Sequence, residues 1–101
     1  MYQVTFDDEA TKLPADAAPN LRAVVDGLKS NNNLRLQLMA YAGGAEMTPN
    51  NARRMSLRRA LSVRSYLIDQ GVRSTRIDVR ALGNKTTEQP ANRVDVMVVE
   101  R

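Results

Sequence analysis

The chain has 101 residues, with 15 Lys and Arg against 11 Asp and Glu, so its net charge at pH 7 is +4. This length supports one domain with one hydrophobic core and excludes a multidomain enzyme. Since the sequence contains neither Cys nor His, it excludes disulfides, catalytic thiolates, imidazole catalysis and zinc sites built from these residues. Serine triads and zinc hydrolases are therefore excluded, and we expect no metal and no cofactor.

The first half of the sequence predicts two strands separated by a helix. Polar and apolar residues alternate over Tyr2–Phe6, which predicts a short strand. Apolar residues at helical spacing predict an amphipathic helix over about 16–30, and they are Leu21, Val24, Val25 and Leu28. Alternating leucines predict a second strand over 34–40, and Gly43 and Gly44 then predict a turn or loop.

The second half predicts a long helix followed by two strands. Thr48 supplies an N-cap hydroxyl, Pro49 suits the first helical position, and the helix should run to about Gln70, with a left-handed C-cap at Gly71. Alternation at 76–81 and at 94–99 predicts two more strands, and the polar residues 83–91 predict an exposed loop between them. The order β-α-β-α-β-loop-β predicts an α+β domain in which two helices pack on one face of a four-stranded mixed sheet.

The positive charge is concentrated in the second helix. Between Glu46 and Asp69 the chain holds no carboxylate, and its arginines give this segment more positive charge than the whole chain has. These arginines are Arg53, Arg54, Arg58, Arg59 and Arg64. The net positive charge of the chain therefore comes from this one helix.

Helical geometry separates these arginines. The face predicted to pack on the sheet holds Ala52, Ser56, Leu57, Ala60, Leu61, Val63, Leu67 and Ile68. Arg54 and Arg58 fall on the opposite face, which predicts solvated side chains. Arg59 falls at the margin of the buried face, where two roles are open: a partly desolvated guanidinium that binds a carboxylate, or a structural salt bridge to Glu46 or to an acid on a strand. Gly43 and Gly44 are likewise either a plain turn or a point where a ligand approaches the backbone.

The second helix and the segments after it resemble the signature of the OmpA-like C-terminal domain family. The helix Met55–Leu67 reads MSLRRALSVRSYL and is followed by Gly71-Val72 and Arg76-Ile77; the family has a Leu-Ser-x-x-Arg-Ala-x-x-Val-x-x-Tyr-Leu helix, a glycine turn and a strand. The last strand begins Asn92-Arg93-Val94-Asp95-Val96, in place of the family's Asn-Arg-Arg-Val-Glu-Ile. The resemblance covers essentially the whole chain, and it implies that residues 1–101 form a single OmpA-like domain, the C-terminal part of a longer envelope protein.

The resemblance implies a domain that is not an enzyme and that binds peptidoglycan non-covalently, which tethers a membrane protein to the cell wall. In the family, an arginine at the position of Arg59 engages a carboxylate of diaminopimelate in the stem peptide. An aspartate in the loop after the second strand binds the ammonium group of the same residue. On this basis Arg59, Asn92 and Arg93 are the residues expected to hold the stem peptide.

The sequence departs from the family at the aspartate. The acidic position falls on Gly43 or, with a shift of one residue, on Gly44, so half of the clamp for a zwitterion is absent. Glu46 is the neighbouring acid that could substitute if its carboxylate reaches the same point. We therefore predict weakened or altered peptidoglycan binding.

A second class of function stays open beside wall binding. The domain could keep the OmpA-like fold as a structural module or as a module that binds other envelope proteins, without binding peptidoglycan. Nucleic-acid binding by the arginine helix is electrostatically feasible. We favour it less, because the basic cluster lies on one helix and the aromatic residues are few, namely Tyr2, Phe6, Tyr41 and Tyr66.

The sequence also predicts a location. No stretch approaches the roughly 20 apolar residues that a membrane helix needs. Residues 1–6 have no basic region followed by a long apolar one, so they do not predict a signal peptide. The resemblance implies the periplasm and cell envelope of a Gram-negative bacterium, in association with the outer membrane. Membrane attachment is expected only through parts of the parent protein outside this sequence.

Overall fold

A computed structural model of the chain describes residues 2–7, 9–43, 47–85 and 90–100. Its strands and α-helices are β1 (Tyr2–Thr5), α1 (Ala18–Ser30), β2 (Leu34–Tyr41), α2 (Pro49–Asp69), β3 (Ile77–Gly83) and β4 (Arg93–Glu100). Short 3-10 turns at Ala15–Ala17 and Ser74–Arg76 lead into α1 and β3. The predicted α+β class and the order β-α-β-α-β-loop-β are confirmed, and α1 begins two residues later than predicted because its first turn is 3-10.

The strands form one mixed sheet in the order β1-β4-β2-β3. β4 is antiparallel to both β1 and β2, whereas β3 is parallel to β2. A parallel pair needs a crossover between its strands, and α2 supplies it. Tyr41 at the end of β2 pairs with Arg93 at the start of β4, so the loops that follow β2 and precede β4 meet at one end of the sheet.

The core lies between the two helices and one face of the sheet. Its members include Leu21, Val25, Leu28, Leu36, Leu38, Ala60, Val63, Leu67, Val94 and Val96. Leu57 and Leu61 were predicted to face the sheet, but they are 41% and 42% exposed. That prediction is wrong because the buried stripe of α2 extends from Ala60 toward Arg59 rather than toward the two leucines.

α2 begins and ends as the sequence predicts. Thr48 Oγ1 accepts a hydrogen bond from Asn51 N at 3.2 Å, which caps the N-terminus, and Pro49 occupies the first turn. Gly71 adopts a positive φ of 100° just after the helix, as a left-handed C-cap does. No α-helix in the described part of the chain combines the length and apolar character of a membrane span.

The end of β3 lies directly against the backbone of α2. Gly83 N donates to Ser56 Oγ at 3.1 Å, and a Cβ added to Gly83 would lie 3.0 Å from Arg53 N. Gly83 also has a positive φ of 58°, so glycine is needed here for conformation and for space. This contact fixes α2 against the end of the sheet and brings Arg59, one turn beyond Ser56, to the end of β2.

Candidate functional site

Arg59 is fully buried, with 0% of its surface exposed. The sequence predicts a partly desolvated Arg59 at the margin of the buried face, whereas the structure buries it completely. That prediction is therefore wrong in the extent of burial. The irregular segment between β1 and α1 covers its side chain and accepts hydrogen bonds from it. Sequence periodicity describes the two faces of a helix, but it does not reveal a loop that folds over one of them.

The guanidinium of Arg59 binds oxygens from three parts of the chain. Its Nε donates to Ala10 O at 2.8 Å and its Nη2 donates to Asp7 O at 3.0 Å. Its Nη1 donates to Tyr41 O at 3.3 Å and to Asn92 Oδ1 at 2.7 Å. The Phe6 ring centroid lies 5.2 Å from its Cζ, within the range of a cation–π contact.

This arrangement holds one guanidinium edge in the geometry that suits a carboxylate. The Nε and Nη2 hydrogens of an arginine lie side by side and bind the two oxygens of a carboxylate as a fork. In Arg59 the carbonyl oxygens of Asp7 and Ala10 bind this edge. A ligand carboxylate can take the same edge only if the covering segment moves.

Asn92 joins the site to the loop after β2. Besides accepting from Arg59, its Oδ1 accepts a hydrogen bond from Gly43 N at 2.9 Å. Its main-chain oxygen accepts from Phe6 N at 2.9 Å. The structure thus brings together Arg59, Asn92 and Gly43, three of the residues that the sequence singled out.

Arg93 does not join this group. β4 places Val94 and Val96 in the core, so Arg93 and Asp95 lie on the opposite face of the sheet. Arg93 is 2% exposed, its Nε lies 3.0 Å from Asp95 Oδ1, and its Nη1 donates to Pro90 O at 2.7 Å. Its Cζ lies 4.2 Å from the centroid of the Tyr41 ring. The structure therefore places Arg93 away from Arg59, in a buried ion pair.

Gly43 is packed against the loop before β4. A Cβ added to Gly43 would overlap the Cβ of Ala91, so a carboxylate side chain does not fit here without a shift of the neighbouring loop. Of the two roles that the sequence left open, the structure shows a close approach, and the approaching group belongs to this chain. Gly44 and Glu46 lie outside the described residues.

Sequence reasoning missed the partners of these arginines. The acceptors in residues 7–10 and at Tyr41 are main-chain oxygens, for which side-chain patterns carry no signal. The Arg93–Asp95 pair does leave a signal in the sequence, because residues i and i+2 of a strand share a face. Within the described ranges, no cluster of three or more acidic residues could hold a metal ion.

Comparison with known proteins gives a family and a fold. The OmpA family profile matches residues 5–99, whereas no curated protein sequence matches the chain. The OmpA-like domain of FopA1 from Francisella tularensis is 18% identical, with a TM-score of 0.86 over 97% of this chain and 71% of that one. The peptidoglycan-associated lipoprotein from Burkholderia pseudomallei is also 18% identical, with a TM-score of 0.85 over 98% and 91%.

A third similar structure is the C-terminal domain of MotB from Helicobacter pylori. It is 12% identical, and its TM-score is 0.81 over 100% of this chain and 86% of that one. At these identities the structures show the fold alone. The two helices and the four-stranded mixed sheet of this chain are those of OmpA-like domains.

Proposed function

The chain belongs to the OmpA family, and from this membership we propose that it is a non-catalytic cell-envelope domain that associates with peptidoglycan. The observation that carries the proposal is the position of Arg59. By its resemblance to the family signature, Arg59 takes the place of the ligand-binding arginine, and its guanidinium is hydrogen-bonded to Asn92 at the end of β2. A rigid guanidinium loses little conformational freedom when it binds a carboxylate.

The proposed ligand group is a carboxylate of diaminopimelate in the stem peptide. Its two oxygens would take the Nε and Nη2 edge of Arg59 from the carbonyl oxygens of Asp7 and Ala10. Two hydrogen bonds to carbonyl oxygens would thus be exchanged for two hydrogen bonds to a carboxylate. Displacement of residues 7–10 also costs free energy, so we expect weak binding.

The part of the site that would bind the ammonium group of diaminopimelate is also incomplete. The family's acidic position falls on Gly43 or Gly44, which have no side chain, and the N–H of Gly43 is bound to Asn92. The ammonium group of diaminopimelate therefore lacks the usual partner there, and Glu46 remains the candidate substitute. This is a second reason to expect affinity below that of a complete site.

We place the domain in the periplasm of a Gram-negative bacterium, as the wall-facing part of a longer envelope protein. The fold it shares with a peptidoglycan-associated lipoprotein and with a MotB domain supports this placement. In that setting, weak contacts with peptidoglycan act together with the membrane attachment of the parent protein, since a tethered module needs only modest affinity.

One observation favours a second function. Arg59 is 0% exposed and bound by its own chain, as a purely structural arginine would be. In this alternative the fold serves as a structural module or binds other envelope proteins, and the arginine only fixes the loops.

Co-sedimentation with purified peptidoglycan sacculi separates the two functions. We expect the domain to pellet above a non-binding protein of equal charge. Arg54→Gln is a matched control, because Arg54 is exposed on α2 and its loss lowers the net charge without touching the site. Pelleting that persists in this variant supports wall binding that does not depend on the charge of Arg54. No pelleting above the control protein supports the structural or interaction module.

A further inference from the structure

A basic cleft lies at the end of the molecule opposite Arg59. It has a volume of about 480 Å³ and is lined by Lys29, Asn32, Gly71, Arg73, Thr75 and Arg76. The lining thus contains three cations, an amide and a hydroxyl, and no carboxylate. Arg76 binds the carbonyl of Leu34 at the start of β2, whereas Arg59 binds that of Tyr41 at its end. An eight-residue strand separates the two places by about 23 Å.

Arg76 is held in a fixed orientation in this cleft. Its Nε and Nη2 donate to Leu34 O at 3.1 Å and 2.8 Å, and Nη2 also donates to Asn31 O at 2.8 Å. Its Nη1 makes no hydrogen bond with any residue in the described ranges. The side chain is half-buried, so a guanidinium with an available donor group is presented at the cleft wall at little cost in entropy.

Lys29 and Arg73 add charge to the same space. A Cβ on Gly71 would lie 3.6 Å from Lys29 Nζ, so the ammonium group lies against the turn that follows α2. Neither Lys29 nor Arg73 forms an ion pair with a described residue; within those ranges the ion pairs are Arg35–Asp78 and Arg93–Asp95. No ion pair within the described ranges therefore neutralises Lys29 or Arg73, although Asp69 at the end of α2 and Glu100, which pairs with Leu34 in the sheet, lie at the same end of the molecule.

The helix termini offset only part of this charge. α1 ends at Ser30 and α2 at Asp69, so both C-termini lie near the cleft. Each carries a partial charge of about −0.5, or about −1 for the pair, against three cations.

We propose that this cleft binds a phosphate group. Its tetrahedral oxygens can accept from Arg76 Nη1, from the cations Lys29 and Arg73, and from the hydroxyl of Thr75, donors that suit a multiply charged oxyanion. The phosphate can be free or the headgroup of a phospholipid, and the binding chemistry is the same.

An NMR titration of the 15N-labelled domain with inorganic phosphate, against sodium chloride of equal ionic strength, tests the proposal. We expect saturable shifts of the Gly71, Thr75 and Arg76 amides with phosphate but not with chloride. Lys29→Gln with Arg73→Gln should raise the phosphate Kd about tenfold. Both residues are exposed, so the double variant should fold normally. Arg54→Gln, the matched control, should leave the Kd within about twofold.

Vesicle sedimentation identifies the source of the phosphate. Binding to phosphatidylcholine vesicles that contain phosphatidic acid, lost in the Lys29/Arg73 double variant, indicates a lipid headgroup. Binding of inorganic phosphate without vesicle binding indicates a free phosphate. Shifts with phosphate no larger than those with chloride, or a Kd that the double variant does not change, would overturn the proposal.

Discussion

Arg59 donates a hydrogen bond through Nη1 to Oδ1 of Asn92, 2.7 Å away across 33 residues of sequence. Because the same oxygen accepts from Gly43 N, one amide connects α2, the loop after β2 and the start of β4. Asp7 and Ala10 complete the arrangement from the segment after β1. This buried connection is the structural feature on which the proposed wall-binding site depends.

Removal of the Arg59 side chain should destabilise the fold. Arg59→Ala removes the donor groups that bind the carbonyls of Asp7, Ala10 and Tyr41 and creates a cavity, so the free energy of unfolding should fall by about 4 kcal/mol. Arg59→Lys keeps the charge but loses the planar fork, and about half of that loss is expected. Urea denaturation measures both. Arg54→Ala, on the exposed face, should change stability by no more than about 0.5 kcal/mol, and an equal loss in the two alanine variants would refute a structural role for Arg59.

Asn92 should matter through its acceptor oxygen. Asn92→Ala leaves Gly43 N and Arg59 Nη1 without this acceptor, which should cost about 2–3 kcal/mol. Asn92→Asp keeps an acceptor of the same shape and should therefore be closer in stability to the unsubstituted protein at pH 7. Thermal unfolding of the two variants side by side checks this. If the aspartate variant is as unstable as the alanine variant, the oxygen is not the important group.

Gly43 should be intolerant of a side chain because of Ala91. Gly43→Ala should lower stability by about 1–3 kcal/mol, and the added change Ala91→Gly should recover part of the loss. Gly27 on α1 is a matched control, since a Cβ there meets no atom within 4 Å. Gly27→Ala should stabilise the domain by about 0.5–1 kcal/mol because it favours the helix. Chemical denaturation of the single and double variants reports all these changes, and a tolerated Gly43→Ala would contradict the close packing.

The same contact decides how an acid can be restored in the loop. Gly43→Asp alone should not improve ligand binding, because its Cβ overlaps Ala91. Gly43→Asp with Ala91→Gly supplies both the carboxylate and the space, and it should raise the affinity for a diaminopimelate peptide. Isothermal titration calorimetry of the two variants measures the difference. Equal affinities would show that more than one acid separates this site from a complete clamp.

The sequence predicts the fold well because each element carries a local signal. Thr48 and Pro49 mark the start of α2, Gly71 marks its end, and alternation marks the strands. Burial of Arg59 has no such signal, since its main-chain acceptors at Asp7 and Ala10 lie 52 and 49 residues away in an irregular segment. Such contacts arise only when the tertiary structure forms.

Arg93 shows the opposite case. The sequence placed it beside Asn92 in a binding site, although alternation along β4 already sets it on the face opposite the core residue Val94. Strand periodicity therefore predicts the position of a side chain better than its adjacency in sequence to a motif residue does. The Asp95 partner two residues on indicates the same face.

The most direct test of wall binding compares two stem peptides that differ in one group. Diaminopimelate differs from lysine by a single additional carboxylate, the group proposed to bind Arg59. Calorimetric titration of the unsubstituted domain should therefore give a Kd for the diaminopimelate peptide about tenfold or more below that for the lysine peptide, as expected for one charge-assisted contact. Equal affinity for the two peptides, or no binding of either, would contradict carboxylate recognition at Arg59.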